Sequence, residues 1–195
     1  LRNSSAASDV YKRQVLSSSL AIDKELSKKI FIKNNILTPK YLKFSYRNNI
    51  NKSKLINNLQ KKIGFPLVVK PLNEGSSVNV FICNKNNILK TLTKLNEYGE
   101  VLLEKYIPGR EIQVAILENK VLGAIELRPT RKFYDYQAKY NPKARTEHII
   151  PVEISKRKYQ ELTKIALKAH KILNCRGVTT VSYTHLLAHE TFANR

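Results

Sequence analysis

Acidic residues are scarce in this chain. Against 35 Lys and Arg there are 15 Asp and Glu, a formal charge of +20 over 195 residues. Such an excess suits a nucleic-acid partner or an anionic membrane. However, no dense block of Lys and Arg occurs. The cations are spread along the chain with abundant Asn and Ile, which favours a compositional bias of A/T-rich coding sequence. No apolar run is long enough to cross a bilayer, and no signal-peptide pattern is present. The two cysteines, Cys83 and Cys175, match no Cys-x-x-Cys spacing and read as reduced, mostly buried thiols of a cytosolic protein. The four histidines do not cluster apart from His185 and His189, an i, i+4 pair with no third ligand spaced for it. The Gly-x-x-x-x-Gly-Lys-Ser/Thr phosphate loop is absent. What is present is 42% hydrophobic, enough for a core in one or two domains.

The most informative stretch runs from Phe65 to Cys83. Leu67-Val68-Val69 reads as a strand buried on both faces, closed by Lys70 and ended by Pro71. Asn73-Glu74-Gly75-Ser76-Ser77 is a small-residue turn. Val78, Val80 and Ile82 then alternate with Asn79, Phe81 and Cys83, which predicts a second, half-buried strand. A cation at a strand end, beside a loop of exposed amides and hydroxyls, suits a phosphate. A solvated Lys on an ordinary hairpin is the plain alternative.

Elsewhere the periodicities alternate between helix and strand. Ser17-Ser18-Ser19 can cap a helix with Ile22, Leu26 and Ile30 on one face, ended by Asn34-Asn35 and Pro39. A short strand is expected over 38–44. Ser53 is the expected cap of a helix carrying Leu55, Ile56, Leu59 and Ile63, stopped by Gly64. Asn86-Asn87 opens a third helix with Ile88, Leu89, Leu92 and Leu95 inward and Gly99 as its stop. Val101 to Glu104 reads as a buried strand. A hairpin follows, turning at 118–120, with Ile112, Val114 and Ile116 inward. Ser155 caps a long helix, and Val178-Thr179 begins another strand. Between the hairpin and the long helix lies a polar loop, 128–148, holding Phe133, Tyr134, Tyr136 and Tyr140 among several cations. Loops of that length are usually functional or disordered. Aromatics interleaved with cations leave a single-strand nucleic-acid surface open as a reading.

Three segments carry a resemblance: Lys70-Pro71-Leu72-Asn73-Glu74-Gly75-Ser76-Ser77-Val78; Leu103-Glu104-Lys105-Tyr106-Ile107-Pro108-Gly109-Arg110-Glu111; and Phe133-Tyr134-Asp135-Tyr136-Gln137-Ala138-Lys139-Tyr140. In this order and spacing they resemble the D-alanine–D-alanine ligases of the ATP-grasp superfamily, and the similarity runs from about Val15 to about Thr179. It implies an α+β, ATP-grasp fold of two subdomains, each an antiparallel sheet flanked by helices, truncated at both ends. The boundaries expected are 15–23 for the end of a preceding domain or linker, 24–106 for the central subdomain and 107–180 for the truncated C-terminal one. Segments 1–14 and 181–195 resemble translated adapter sequence and are expected to be non-native tails.

The resemblance also implies roles. Lys24, Lys70 and Lys139 would meet ATP phosphates, and Ser76 and Ser77 would cover phosphate and substrate. Glu104, Lys105, Tyr106 and Ile107 would hold the adenine edge and Glu111 the ribose. Lys139 and Tyr140 would sit on a lid that closes over the site. ATP and two D-alanines are the implied small-molecule ligands. Mg2+ or Mn2+ is implied in the full-length parent. The Arg expected after Thr179 is replaced by Thr180, no Asp follows, and Glu190 lies in no comparable context, so no residue here is assigned to a metal. Asn79 stands where the family usually has Gly, and Gln137 replaces a frequent Glu. The implied activity joins two D-alanines for peptidoglycan in a bacterial cytoplasm, with a homodimer possible in the full-length parent and no nucleic-acid or membrane partner. A D-alanine–D-lactate type or another carboxylate–amine ligase is the alternative, and a basic nucleic-acid module is the alternative from a different class. This chain alone is expected not to make the dipeptide.

Overall fold

The computed structural model describes residues 15–46, 51–129 and 146–185. Helix α1 covers 15–22, and α2 is Lys24–Lys33. A single amphipathic helix was expected here; Asp23 divides it. Its carboxylate accepts from the Leu26 amide at 2.9 Å, so the helix restarts at an N-cap. The restart changes the phase. Ser27 and Lys28 are buried, whereas Ile22 and Leu26 are exposed. Ser17 to Ser19 lie inside α1 rather than capping it, and the Ser17 hydroxyl donates to the Asn174 carbonyl at 2.8 Å, tying this end to the far part of the chain.

The first sheet is antiparallel in the order β1-β4-β2-β3. Its strands are β1 (Tyr41–Ser45), β2 (Leu67–Pro71), β3 (Phe81–Cys83) and β4 (Glu100–Lys105). Helix α3 (Lys52–Lys62) is capped by Asn51, not Ser53: the Asn51 side chain accepts from the Lys54 amide at 3.0 Å. Gly64 then takes φ +79°, the left-handed turn that ends it. Helix α4 (Ile88–Lys94) runs into a 3-10 turn, Asn96–Tyr98. Leu59, Ile88, Leu92 and Leu95 from these helices pack on Leu67, Val69, Val101 and Leu103 from the sheet, forming one apolar core.

The second strand of the organising hairpin is shorter than its alternation predicts. Residues 76–79 form a turn, and only Phe81–Cys83 pair with β2. Ser76, Ser77 and Asn79 have φ of 52°, 59° and 52°, so left-handed backbone interrupts the strand.

The second sheet is antiparallel in the order β7-β6-β5-β8. Its strands are β5 (Arg110–Leu117), β6 (Lys120–Arg128), β7 (Glu147–Ile149) and β8 (Val178–His185). Helix α5 (Lys156–Ile172), capped by Ser155, covers it and buries Leu162 and Ala166 against Ile112, Val114 and Ile116. Strand β8 pairs with β5 from Val178 to His185, continuing past Thr180. Glu126 is 2% exposed on this buried face, where the Arg110 guanidinium holds both carboxylate oxygens. Arg110 also donates to the Glu153 carbonyl at 3.0 Å.

Candidate functional site

Strand alternation places the site. Leu67, Val69, Val101 and Leu103 face the helices, so Val68, Lys70 and Glu104 face the other way. That face lines a cleft of about 580 Å³, closed on its far side by Glu111, Ser182 and Tyr183 from the second sheet. Val68 pairs with Glu104 and Lys70 with Leu102, which makes Lys70 and Glu104 diagonal neighbours on the cleft face. Their side chains form an ion pair.

Lys24 reaches the same cleft from the first turn of α2. Its amide donates to the Leu72 carbonyl at 3.3 Å, and its ammonium donates to the carbonyls of Leu72, at 3.1 Å, and Glu74. Burial and the nearby Lys70 lower its pKa from 10.5 to about 8. Two ammonium groups 46 positions apart in sequence therefore converge beside one loop. That loop carries Ser76 and Ser77, whose left-handed backbone presents small polar groups at the cleft wall.

Glu104, Lys105, Tyr106 and Ile107 line the cleft at the end of β4, and Glu111 lines it at the start of β5. The Lys105 amide donates to the Lys40 carbonyl at 2.8 Å and the Tyr106 amide to the Pro66 carbonyl at 3.2 Å. These bonds anchor the connection between the sheets to both neighbours of β4. The Lys105 ammonium donates to the Phe65 carbonyl at 3.3 Å. Lys139 and Tyr140 lie outside the described residues.

A residue the sequence reading missed stands behind this wall. Lys28 is buried, and its ammonium lies 2.9 Å from the second oxygen of Glu104. Burial pushes the Lys28 pKa down against the pull of Glu104. Burial of Glu104 works to raise its pKa, but Lys70 and Lys28 prevail and hold it below the usual carboxylate range. The signal was available: Lys28 is one turn beyond Lys24, so both occupy one helix face.

Comparison with known proteins bears on what this cleft does. The family model described as D-ala D-ala ligase C-terminus matches residues 30–192. The chain belongs to that family. The D-alanine--D-alanine ligase of Pelagibacter ubique (strain HTCC1062) is 61% identical over 165 residues, covering 85% of this chain and 54% of that protein. The enzyme of the same name from Pelobacter propionicus is 38% identical over 169 residues, covering 86% and 52%. Among solved structures, the D-alanine--D-alanine ligase of Bacillus anthracis superposes with a TM-score of 0.73 at 35% identity, covering 87% of this chain and 54% of its own. A structure of that ligase complexed with ATP gives a TM-score of 0.69 at 30% identity, covering 87% and 52%. The family assignment and the two antiparallel, helix-flanked sheets agree with the ATP-grasp fold expected from the three motifs. The chain spans about half the length of the curated relatives it matches. No helix among the described residues is long and apolar enough to cross a membrane.

Proposed function

We propose that this chain holds the nucleotide cleft of an ATP-dependent ligase that joins two D-alanines for peptidoglycan precursor synthesis. The observation that supports it is the convergence of Lys24 and Lys70 on one cleft with the Ser76-Ser77 loop. Ammonium groups and loop amides aimed at one volume suit a polyphosphate. On this reading the base edge meets the backbone of the segment from Glu104 to Ile107, and Glu111 accepts from the ribose hydroxyls, since a carboxylate accepts two hydrogen bonds from a diol. Lys139 and Tyr140 belong to the same proposal as lid residues.

The reaction proposed for the whole protein has two steps. A carboxylate oxygen of one D-alanine attacks the γ-phosphorus of ATP. The bond to the bridging oxygen breaks, and ADP leaves with the electron pair. The amine of a second D-alanine then attacks the acyl carbon, the bond to phosphate oxygen breaks, and the amine loses a proton. In the first step Lys24 and Lys70 offset charge on the phosphates, and the Ser76 and Ser77 groups orient them. These groups are fixed before the reaction, so little reorganisation is needed when charge moves. A site that excludes water keeps the acyl phosphate from hydrolysis.

Such chemistry ordinarily uses a divalent metal. Among the described residues no group of three His, Cys, Asp or Glu is placed to hold one. A bacterial cytoplasm, where ATP and D-alanine meet, and a homodimer of the whole protein go with this reading.

The test is ATP binding to the purified chain, measured by calorimetry with Lys70→Ala alongside. The expected result is weaker ATP binding in the variant with unchanged retention on nucleic acid. Equal ATP affinity in both proteins would refute the reading. Salt-sensitive nucleic-acid binding that Lys70→Ala abolishes would favour the basic-module alternative.

A further inference from the structure

We propose that Lys28 is a positioning residue of the phosphate site: by taking one oxygen of Glu104 it keeps that carboxylate from claiming the Lys70 ammonium outright. This rests on the nucleotide reading above. Lys28 does not line the 580 Å³ cleft. It stands behind Glu104, in an adjoining cavity of about 920 Å³ that Lys24, Lys70 and Glu104 also border. Its side chain is 9% exposed. The ammonium is held at three points: by Glu104 at 2.9 Å, by the Pro39 carbonyl at 3.2 Å, and over the Tyr41 ring at 5.1 Å from its centroid. Tyr41 is the register partner of Glu104 on β1, so the strand pairing itself sets Lys28 and Glu104 together.

The charges in this cluster decide what Lys28 does. Lys24, Lys28 and Lys70 surround one carboxylate, Glu104, whose two oxygens go one to Lys70 and one to Lys28. If Lys28 were neutral, Lys70 would be the remaining ammonium in direct contact with the half-buried carboxylate among the described residues, with Lys24 acting from further off. Attraction at a few ångströms in a poorly solvated site is strong, and a phosphate would have to compete with it for Lys70. With Lys28 in place the negative charge is already offset from behind. Lys70 then keeps its positive charge directed at the cleft. Burying an ammonium is costly, and an apolar residue would fill the same space without that cost.

The experiment compares ATP with adenosine, which has the same base and sugar and no phosphate, on the intact 195-residue chain. Calorimetric competition gives the ratio of the two affinities. Lys28→Met is expected to lower ATP affinity by about tenfold and leave adenosine within about twofold, and Lys28→Arg is expected to restore the ratio. The diagnostic arm is the Glu104→Gln background. There Lys28→Met should change the ratio by less than about twofold, because no carboxylate remains to be offset. Circular dichroism checks folding. If Lys28→Met does not fold, Lys28→Gln, which keeps an N–H for the Pro39 carbonyl, serves in its place.

A merely structural role predicts that both ligands weaken together, or that the loss persists with Glu104→Gln; either result overturns the proposal. Failure of the unaltered chain to bind ATP would remove the nucleotide reading, and this proposal with it. ATP binding with a ratio indifferent to Lys28 would remove this proposal alone.

Discussion

On the proposed nucleotide reading, the lowered pKa of Lys24 should make phosphate binding sensitive to mild alkali. Burial and the Lys70 charge bring this ammonium from 10.5 to about 8. A polyphosphate beside it acts in the opposite direction and favours the charged form. The sign follows from linkage: the complex holds a proton that the free protein loses above pH 8, so affinity falls as pH rises through that value. If bound phosphate returns the pKa to between about 9 and its ordinary value, ATP affinity falls about five- to tenfold between about pH 7 and pH 9. Over that window a phosphate with its second pKa near about 6 stays ionised, so the ligand contributes little of the change. The assay is a calorimetric titration at fixed ionic strength across that range, with adenosine as the phosphate-free control. Lys24→Gln should flatten the ATP profile. A flat profile in the unaltered chain, or an equal slope in Lys24→Gln, would refute the reasoning.

Other outcomes follow from features outside the proposed phosphate contacts. Asn79 combines φ 52° with a hydrogen bond from its amide nitrogen to the Tyr98 hydroxyl at 2.7 Å. Asn79→Val should cost about 2–3 kcal/mol in urea unfolding, through strained backbone and a lost bond, while Asn79→Gly should stay within about 1 kcal/mol because Gly accepts the left-handed conformation. Arg110→Ala leaves the buried Glu126 with Arg128 at 3.4 Å as its nearby cation and should cost about 3 kcal/mol. The pair Arg110→Met with Glu126→Leu should cost less, as read by thermal melting. Arg110 holds Glu126 below the usual carboxylate range, as Lys70 and Lys28 hold Glu104. Carboxylates of this kind stabilise the fold above their unfolded pKa of about 4.3 and lose that contribution as pH falls through the lower folded value. Acid titration monitored by circular dichroism should show stability declining below about pH 4–5, and less steeply when Glu104 is replaced by Gln.

Much of the fold was legible because its signals are local. The run Leu67-Val68-Val69, the alternation Ile112, Val114, Ile116 and the Ser155 cap each reflect a period or a cap that one short segment contains. Pattern and structure part where two local signals compete. Asp23 outweighed the Ile22, Leu26, Ile30 period because a carboxylate that caps an amide restarts the helix at that point. At Val78 and Val80, left-handed turns at Ser76, Ser77 and Asn79 overrode a period-2 pattern. Lys70 and Lys24, named from the family resemblance, both line the cleft. The helical spacing puts Lys28 on the face of Lys24, but its contact with Glu104 depends on which strand pairs beside Tyr41, and strand order is a property of the whole sheet.

Alternation in β2 has a consequence for how the site comes into being. Val69 belongs to the apolar core under α3 and α4, and Lys70, the next residue, belongs to the cleft. A slip of β2 by one position against β4 would drive an ammonium into hydrocarbon and put a valine where phosphate is expected. A one-position slip spoils both faces together. Pairing β2 with β4 in register therefore packs the core and sets the spacing of Lys70 and Glu104 by the same contacts.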